Sequence, residues 1–166
     1  TLALNGANTF TGTLSANEGI VTLGSAGRLA SGSTVSLGGG TLTLGGNESV
    51  NDFVTSSGTL NGSGTLTAAT YALQGGTVSA NLGAGTVNAS SGTTLLSGTS
   101  AAANVNVSGG LLSLVSADRL ANATAVAVSN GELAVGANDT VGSLSTTGGT
   151  VSGAGTLTAA TYALNG

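Results

Sequence analysis

GTLTAATYAL, residues 64 to 73, returns letter for letter as residues 155 to 164. Working outward from this pair, an offset of 91 aligns residues 1 to 75 with 92 to 166, and 29 of 75 positions agree without a gap. The alignment pairs Arg28 with Arg119, Leu42 with Leu133, Asn47 with Asn138 and Val50 with Val141. The chain, 1–166, therefore reads as one segment holding slightly less than two copies of a single unit.

A shorter period runs inside the unit. Leu4, Leu23, Leu42, Leu60, Val78, Leu96, Leu114, Leu133 and Val151 follow one another at 18 or 19 residues. A second track runs Leu14, Val35, Phe53, Tyr71, Val87, Val105, Val126, Leu144 and Tyr162, and a third includes Leu29, Val50, Leu66, Leu82, Leu120, Val141 and Leu157. Around them lie short alternating segments such as TLTL at 41 to 44, VNV at 105 to 107 and AVAV at 125 to 128, which put alternate side chains on opposite faces of a strand. Nine positions on three tracks predict an all-β, right-handed parallel β-helix (a β-solenoid) of about nine coils of 18–19 residues, with three short strands per coil. A coil of this size cannot bury its apolar side alone, but coils stacked at roughly 4.8 Å form continuous apolar ladders inside and polar rows outside. A β-sandwich would not require a constant 18-residue phase, and an outer-membrane barrel would need longer strands with aromatic girdles.

Composition supports a narrow core. Of the 166 residues 40% are hydrophobic, almost all Leu, Val and Ala, with two Phe, two Tyr and neither Trp nor Met. Such side chains fill regular stacks better than a wide irregular interior. Thirty Gly without Pro and without a Gly-X-Y period predict frequent tight corners, not a triple helix. The chain starts TLALNG and stops TYALNG, within the pattern, so the array is expected to continue in both directions, with flanking repeats of the same protein as its first partners. Uncapped strand edges at such ends invite association of coils into fibres.

Charge and residue types set aside several classes of function. Arg28 and Arg119 are the only bases, so no basic patch exists to displace counterions from nucleic acid. No apolar run approaches the roughly 20 residues of a membrane-spanning helix. The lack of Cys excludes disulfides and thiolate sites, a Cys-free chain being compatible with passage through an oxidising periplasm. With no His, six scattered carboxylates and no calcium-binding nonapeptide, no metal site and no cofactor is expected. Gly-rich phrases such as GGGTLTLGG lack the Lys and following helix of a phosphate loop.

Individual polar residues read as structural. Glu48 and Asp52, or Asp139 in the second copy, would be the acid and base of a glycosidase, but Asp52 aligns with Ser143 and no Lys is present for a lyase. Glu48 and Asp139 each follow Asn in a GGNES or GANDT phrase and are expected to be corner residues bonding the local backbone. Arg28 and Arg119, each in an RLA phrase, are expected to cover a coil edge. Asn5, Asn47, Asn61, Asn81, Asn122 and Asn138 fall mostly at corners, where stacked amides can bond along the axis, and Tyr71, Tyr162 and Phe53 are expected to pack in the second ladder. No catalytic residue is assigned and no enzyme activity is expected.

The segment GANTFTGTLSANEGIVTLGSAGRL at 6 to 29 resembles the passenger-associated repeat of autotransporters: an Asn-Thr-aromatic-Thr-Gly turn, a variable strand, then a Gly-rich Leu-x-Leu strand. GGGTLTLGGNESV at 38 to 50 and residues 117 to 157 look like the same class, and similar coils occur in filamentous-haemagglutinin-like adhesins. In the second copy the aromatic turn of residues 8 to 12 becomes TSAAA at 99 to 103. The resemblance implies an extracellular β-helical stalk or filament at a bacterial outer surface, supporting adhesion or cell contact through a receptor it does not name. The alternatives are a flat Thr-rich face that binds polysaccharide or ice, and a β-helical polysaccharide-degrading enzyme.

Overall fold

The computed structural model describes residues 1 to 165 and is an all-β parallel solenoid of about nine coils, without a helix. One face is a nine-stranded parallel sheet running from Leu2–Leu4 to Thr150–Ser152. A second face carries a ladder from Thr13–Ala16 to Leu157–Leu164, with the two-residue strand Asn81–Leu82 paired beside it. Every strand pairs with the equivalent strand one coil away, so the backbone hydrogen bonds run along the axis.

The second track is a true ladder. Leu14 pairs Val35, Val35 pairs Phe53, Phe53 pairs Tyr71, Tyr71 pairs Val87, and the row continues through Val105, Val126 and Leu144 to Tyr162. Its steps are 21, 18, 18, 16, 18, 21, 18 and 18 residues, so the coils are less uniform than an 18–19 residue repeat. The five steps from Tyr71 to Tyr162 make up the 91-residue repeat, which is therefore a whole number of coils.

The other two tracks slip by two residues at particular coils. On the nine-stranded face Val21 pairs Leu42 and Leu23 pairs Leu44, and later Leu112 pairs Leu133 and Leu114 pairs Val135. The 21-residue coils place their three extra residues between Leu23 and Val35 and between Leu114 and Val126, where both RLA phrases lie. A slip of two keeps every side chain on its face because strand side chains alternate with period two, so Leu23, Leu42, Leu114 and Leu133 are all fully buried.

The third face is less regular than the other two. In Glu48–Thr55, Thr65–Leu73, Asp139–Thr146 and Leu157–Leu164 its segment is continuous with the second face. Between them it is held by Asn81–Leu82 and by single bridges from Leu82 to Ser100 and from Ser100 to Leu120.

The interior is one continuous stack of Leu, Val and Ala, with Phe53 and Tyr71 edge to face at 6.5 Å between ring centres. Coils approach so closely that some corners admit no side chain. Gly62 and Gly153, 91 residues apart, have φ of 111° and 109°, and a Cβ on Gly62 would lie 2.9 Å from the Leu44 carbonyl carbon. Replacing Gly62 or Gly153 by Ala is expected to destabilise the chain by about 1–3 kcal/mol from backbone strain alone. Gly12→Ala, where a Cβ meets nothing within 4 Å, should stay within about 0.5 kcal/mol in the same denaturant titration. Thr94 sits fully buried between Gly76 and Leu112, and its hydroxyl has no hydrogen-bond partner. Thr94→Val is expected to raise the unfolding free energy by about 1 kcal/mol.

Candidate functional site

The polar groups that do most in this chain are two buried carboxylates. Glu48 begins its strand and pairs with Leu66, and Asp139 begins the corresponding strand and pairs with Leu157, so both occupy an interior row filled elsewhere by leucine and, at one coil, by Ser100. Only 3% of Glu48 and 2% of Asp139 are exposed. Each accepts two successive amides from the coil below. Glu48 Oε1 takes the Arg28 N–H at 2.8 Å and Oε2 the Leu29 N–H at 2.9 Å. Asp139 Oδ2 takes the Arg119 N–H at 2.9 Å and the Leu120 N–H at 3.1 Å, while Oδ1 accepts from Thr140 at 2.8 Å. The expectation of corner residues bonding the local backbone is corrected here: only the Thr140 bond is local, and the buried carboxylates clamp the widened 21-residue coils one coil away. The extra residues leave these amides unpaired by the regular ladder, and a charged acceptor satisfies two at once. The chain-adjacent candidate Asp52 lies elsewhere, in the row between Thr34 and Thr70, where Asn51 donates to it.

Burial pushes the Asp139 carboxyl above the usual Asp range against the lowering effect of the Leu120, Arg119 and Thr140 amides, with the nearby Asp118 charge adding to the rise.

The two arginines cover coil edges in the same way in both copies. Arg28 Nε donates to the Ala26 carbonyl at 3.1 Å and its Nη1 to Asn5 O at 2.6 Å. Arg119 Nε donates to Ala117 O at 2.9 Å and its Nη1 to Ser97 O. The corner asparagines bond along the axis: Asn47, Asn81 and Asn138 each accept, through Oδ1, the amide of the residue 18 positions later, Thr65, Thr99 and Thr156. Asn5 takes part through its backbone carbonyl, and Asn61 leaves a buried Oδ1 without a partner. Tyr71 is fully buried in the second ladder, where its hydroxyl donates to Leu66 O and accepts the Ala68 N–H, both at 2.9 Å. Tyr162 repeats these bonds with Leu157 and Ala159, but as part of the last described coil its ring is half exposed.

None of these groups lines a cleft. A surface notch of about 300 Å³ does open on the third face of the second copy, lined by Thr99, Ser100, Ala101, Asp118, Leu120 and Asn122 among others. Ser100, 3% exposed, stands in the interior row between Leu82 and Leu120. Asp118 has φ of 55°, the single non-glycine residue with positive φ among those described. The TSAAA replacement is legible in the sequence and the notch is not, because the notch joins residues a full coil apart. Among the described residues no group of three His, Cys, Asp or Glu side chains is placed to hold a metal ion. Among the described residues no helix is long and apolar enough to cross a membrane.

The fold and these sites define a β-solenoid with internally braced corners. No family model, no curated protein and no solved structure matches the chain.

Two measurements test the carboxylate clamps. Glu48→Ala strands two buried amides and is expected to cost about 2–4 kcal/mol in equilibrium unfolding, against much less for Asp52→Ala. Since the folded pKa of Asp139 lies above its unfolded value, the folded state holds this proton more tightly. The residue's contribution to stability is greatest below the ordinary Asp range and is lost as pH rises through the raised pKa. The stability of Asp139→Asn relative to the parent chain should therefore shift in favour of Asn as pH rises through that window, and a pH-independent difference would contradict the assignment.

Proposed function

We propose that this solenoid is a structural stalk or filament segment of a secreted bacterial surface protein, of the autotransporter passenger or large adhesin kind, and that it acts outside the cell as a spacer supporting adhesion or cell-to-cell contact. The observation that carries the reading is the register: two parallel ladders pass through all the coils without interruption, and the 91-residue repeat spans five whole coils. Units of this kind can be added end to end without disturbing the core, each adding about 24 Å at roughly 4.8 Å per coil. The GANTFTGTLSANEGIVTLGSAGRL resemblance supports the same surface setting. On this reading the segment performs no catalysis, its first partners are neighbouring coils of the same protein, and recognition of a host or neighbouring cell belongs to other parts of that protein.

The outward rows favour a spacer over a flat binding face for ice or polysaccharide. On the nine-stranded sheet Thr41, Thr59 and Thr77 stand in one row, but the row continues as Leu95, Ser113, Ala134 and Ser152. A lattice-matching surface needs its hydroxyls in unbroken register, and here the row of Thr spans only three coils.

The test is to alter length and surface separately in the intact surface protein. Duplicating one 91-residue unit is expected to lengthen the projecting rod by about 24 Å. Exchanging the segment for an unrelated solenoid of equal coil number should leave adhesion unchanged. Loss of adhesion in the exchanged protein, with the rod length preserved by electron microscopy, would assign recognition to this segment's own surface and overturn the spacer reading.

A further inference from the structure

Four glycines of this chain follow an asparagine: Gly6, Gly62, Gly131 and Gly166. At such a step the glycine nitrogen can close on the side-chain amide, because no Cβ crowds its approach. The reaction needs two freedoms. The glycine N–H must be free of a hydrogen bond, since the nitrogen gives up its proton to attack, and the carboxamide must be able to swing over its own backbone. Asn165–Gly166 ends outside the described residues, and the fold treats the other three steps differently. Asn61–Gly62 lies inside the strand Thr59–Gly62, where it pairs with Thr43 and Leu44 of the neighbouring coil. Asn61 Oδ1 is buried and a Cβ on Gly62 would collide with the Leu44 backbone, so neither residue can turn without opening the ladder. Asn5 stands at a coil edge, where its carboxamide oxygen rests against Gly24 of the next coil and its carbonyl accepts from Arg28.

Asn130–Gly131 has neither restraint. It forms the bend between the strands Ala125–Val128 and Glu132–Val135. The bend is anchored at both ends, the Ser129 N–H donating to Val107 O at 2.9 Å and the Glu132 N–H to Gly110 O at 2.8 Å. Between these anchors the N–H groups of Asn130 and Gly131 have no acceptor among the described residues, and the Asn130 side chain is exposed. We propose that Asn130 is a site of spontaneous covalent modification, deamidating in the folded solenoid through a cyclic imide closed by Gly131. The Gly131 nitrogen loses its proton and bonds to Asn130 Cγ, the Cγ–Nδ2 bond breaks, and Nδ2 leaves as ammonia. Water then opens the imide at either carbonyl and leaves aspartate or isoaspartate. Each event adds a negative charge next to Glu132, and the iso form also adds a methylene to the main chain. The change falls at a corner, and corners already take up the surplus of the 21-residue coils. It therefore marks the surface with age and leaves the ladders intact.

The 166-residue chain would be held at mildly alkaline pH, once folded in buffer and once unfolded in denaturant. Peptides would be mapped over time by mass and by chromatographic position, which separates aspartate from isoaspartate. In the folded chain Asn130 is expected to react first and Asn61 last, at least about tenfold apart. Reaction at Asn61 must wait for its strand to open, and about 1.4 kcal/mol of opening free energy is a factor of ten. In denaturant, where the three steps share the same chemistry, that separation should collapse. Asn130→Ser gives the corner the Ser-Ser-Gly closure already present at 56–58 and 90–92, so it should keep the far-ultraviolet circular dichroism of the parent and remove the early product. The inference is overturned if Asn61 keeps pace with Asn130 in the folded chain, if Asn5 reacts ahead of it, if Asn130 reacts only in denaturant, or if circular dichroism is lost as the product forms. These results are independent of whether the solenoid serves as a stalk.

Discussion

Parallel pairing of each coil with the next is the constraint on which the rest of this molecule depends. The backbone amides and carbonyls of one coil are satisfied by its neighbours, so every coil must present its strands at the same height and its side chains in the same rows. An extra residue within a ladder would break that match for every coil beyond it. Additional length is therefore confined to corners, and both 21-residue coils carry their surplus between the nine-stranded face and the second ladder. The same condition explains the glycines at Gly62 and Gly153, where the backbone of one coil meets the next with no space for a side chain.

Corners that depart from the common path need their own means of satisfying the backbone, and the chain meets this need with a few polar devices used twice. Glu48 and Asp139 receive amides freed by the longer coils, Arg28 and Arg119 cover carbonyls at the edge, and Tyr71 and Tyr162 close a bend with one hydroxyl acting as donor and acceptor. A charge buried beneath a surface of small aliphatic side chains is tolerated because backbone donors surround it. Asn47, Asn81 and Asn138 do the same work at the solvent boundary, one coil to the next. The 91-residue repeat keeps clamp, arginine and tyrosine together because it contains a whole number of coils.

A scaffold so regular makes its irregularities informative. Where both copies agree, the residues answer to packing and backbone satisfaction. Where they differ, as at Phe10 and Ala101 or Gly27 and Asp118, the fold tolerates the change at a corner and the surface acquires a new shape. In this molecule the axial length follows from coil number and the local surface from corner residues.

The sequence by itself determined the solenoid. An exact repeat, an aliphatic inventory and the row from Leu14 to Tyr162 admit few other arrangements, and that row is the ladder residue for residue. Which leucine stacks on which along the other two faces was decided only in three dimensions. Alternation with period two makes Leu42 equally acceptable above Val21 or Leu23, so hydrophobicity alone leaves the register free by two residues. For the same reason the inward placement of Glu48 and Asp139 was hidden. A carboxylate after Asn reads as a corner residue bonding its own local backbone, and only the path of a 21-residue coil shows that two amides one coil below it need an acceptor. The notch at Asp118 belongs to the same category, since its walls come from consecutive coils that the chain separates by a full turn and that stacking alone brings together.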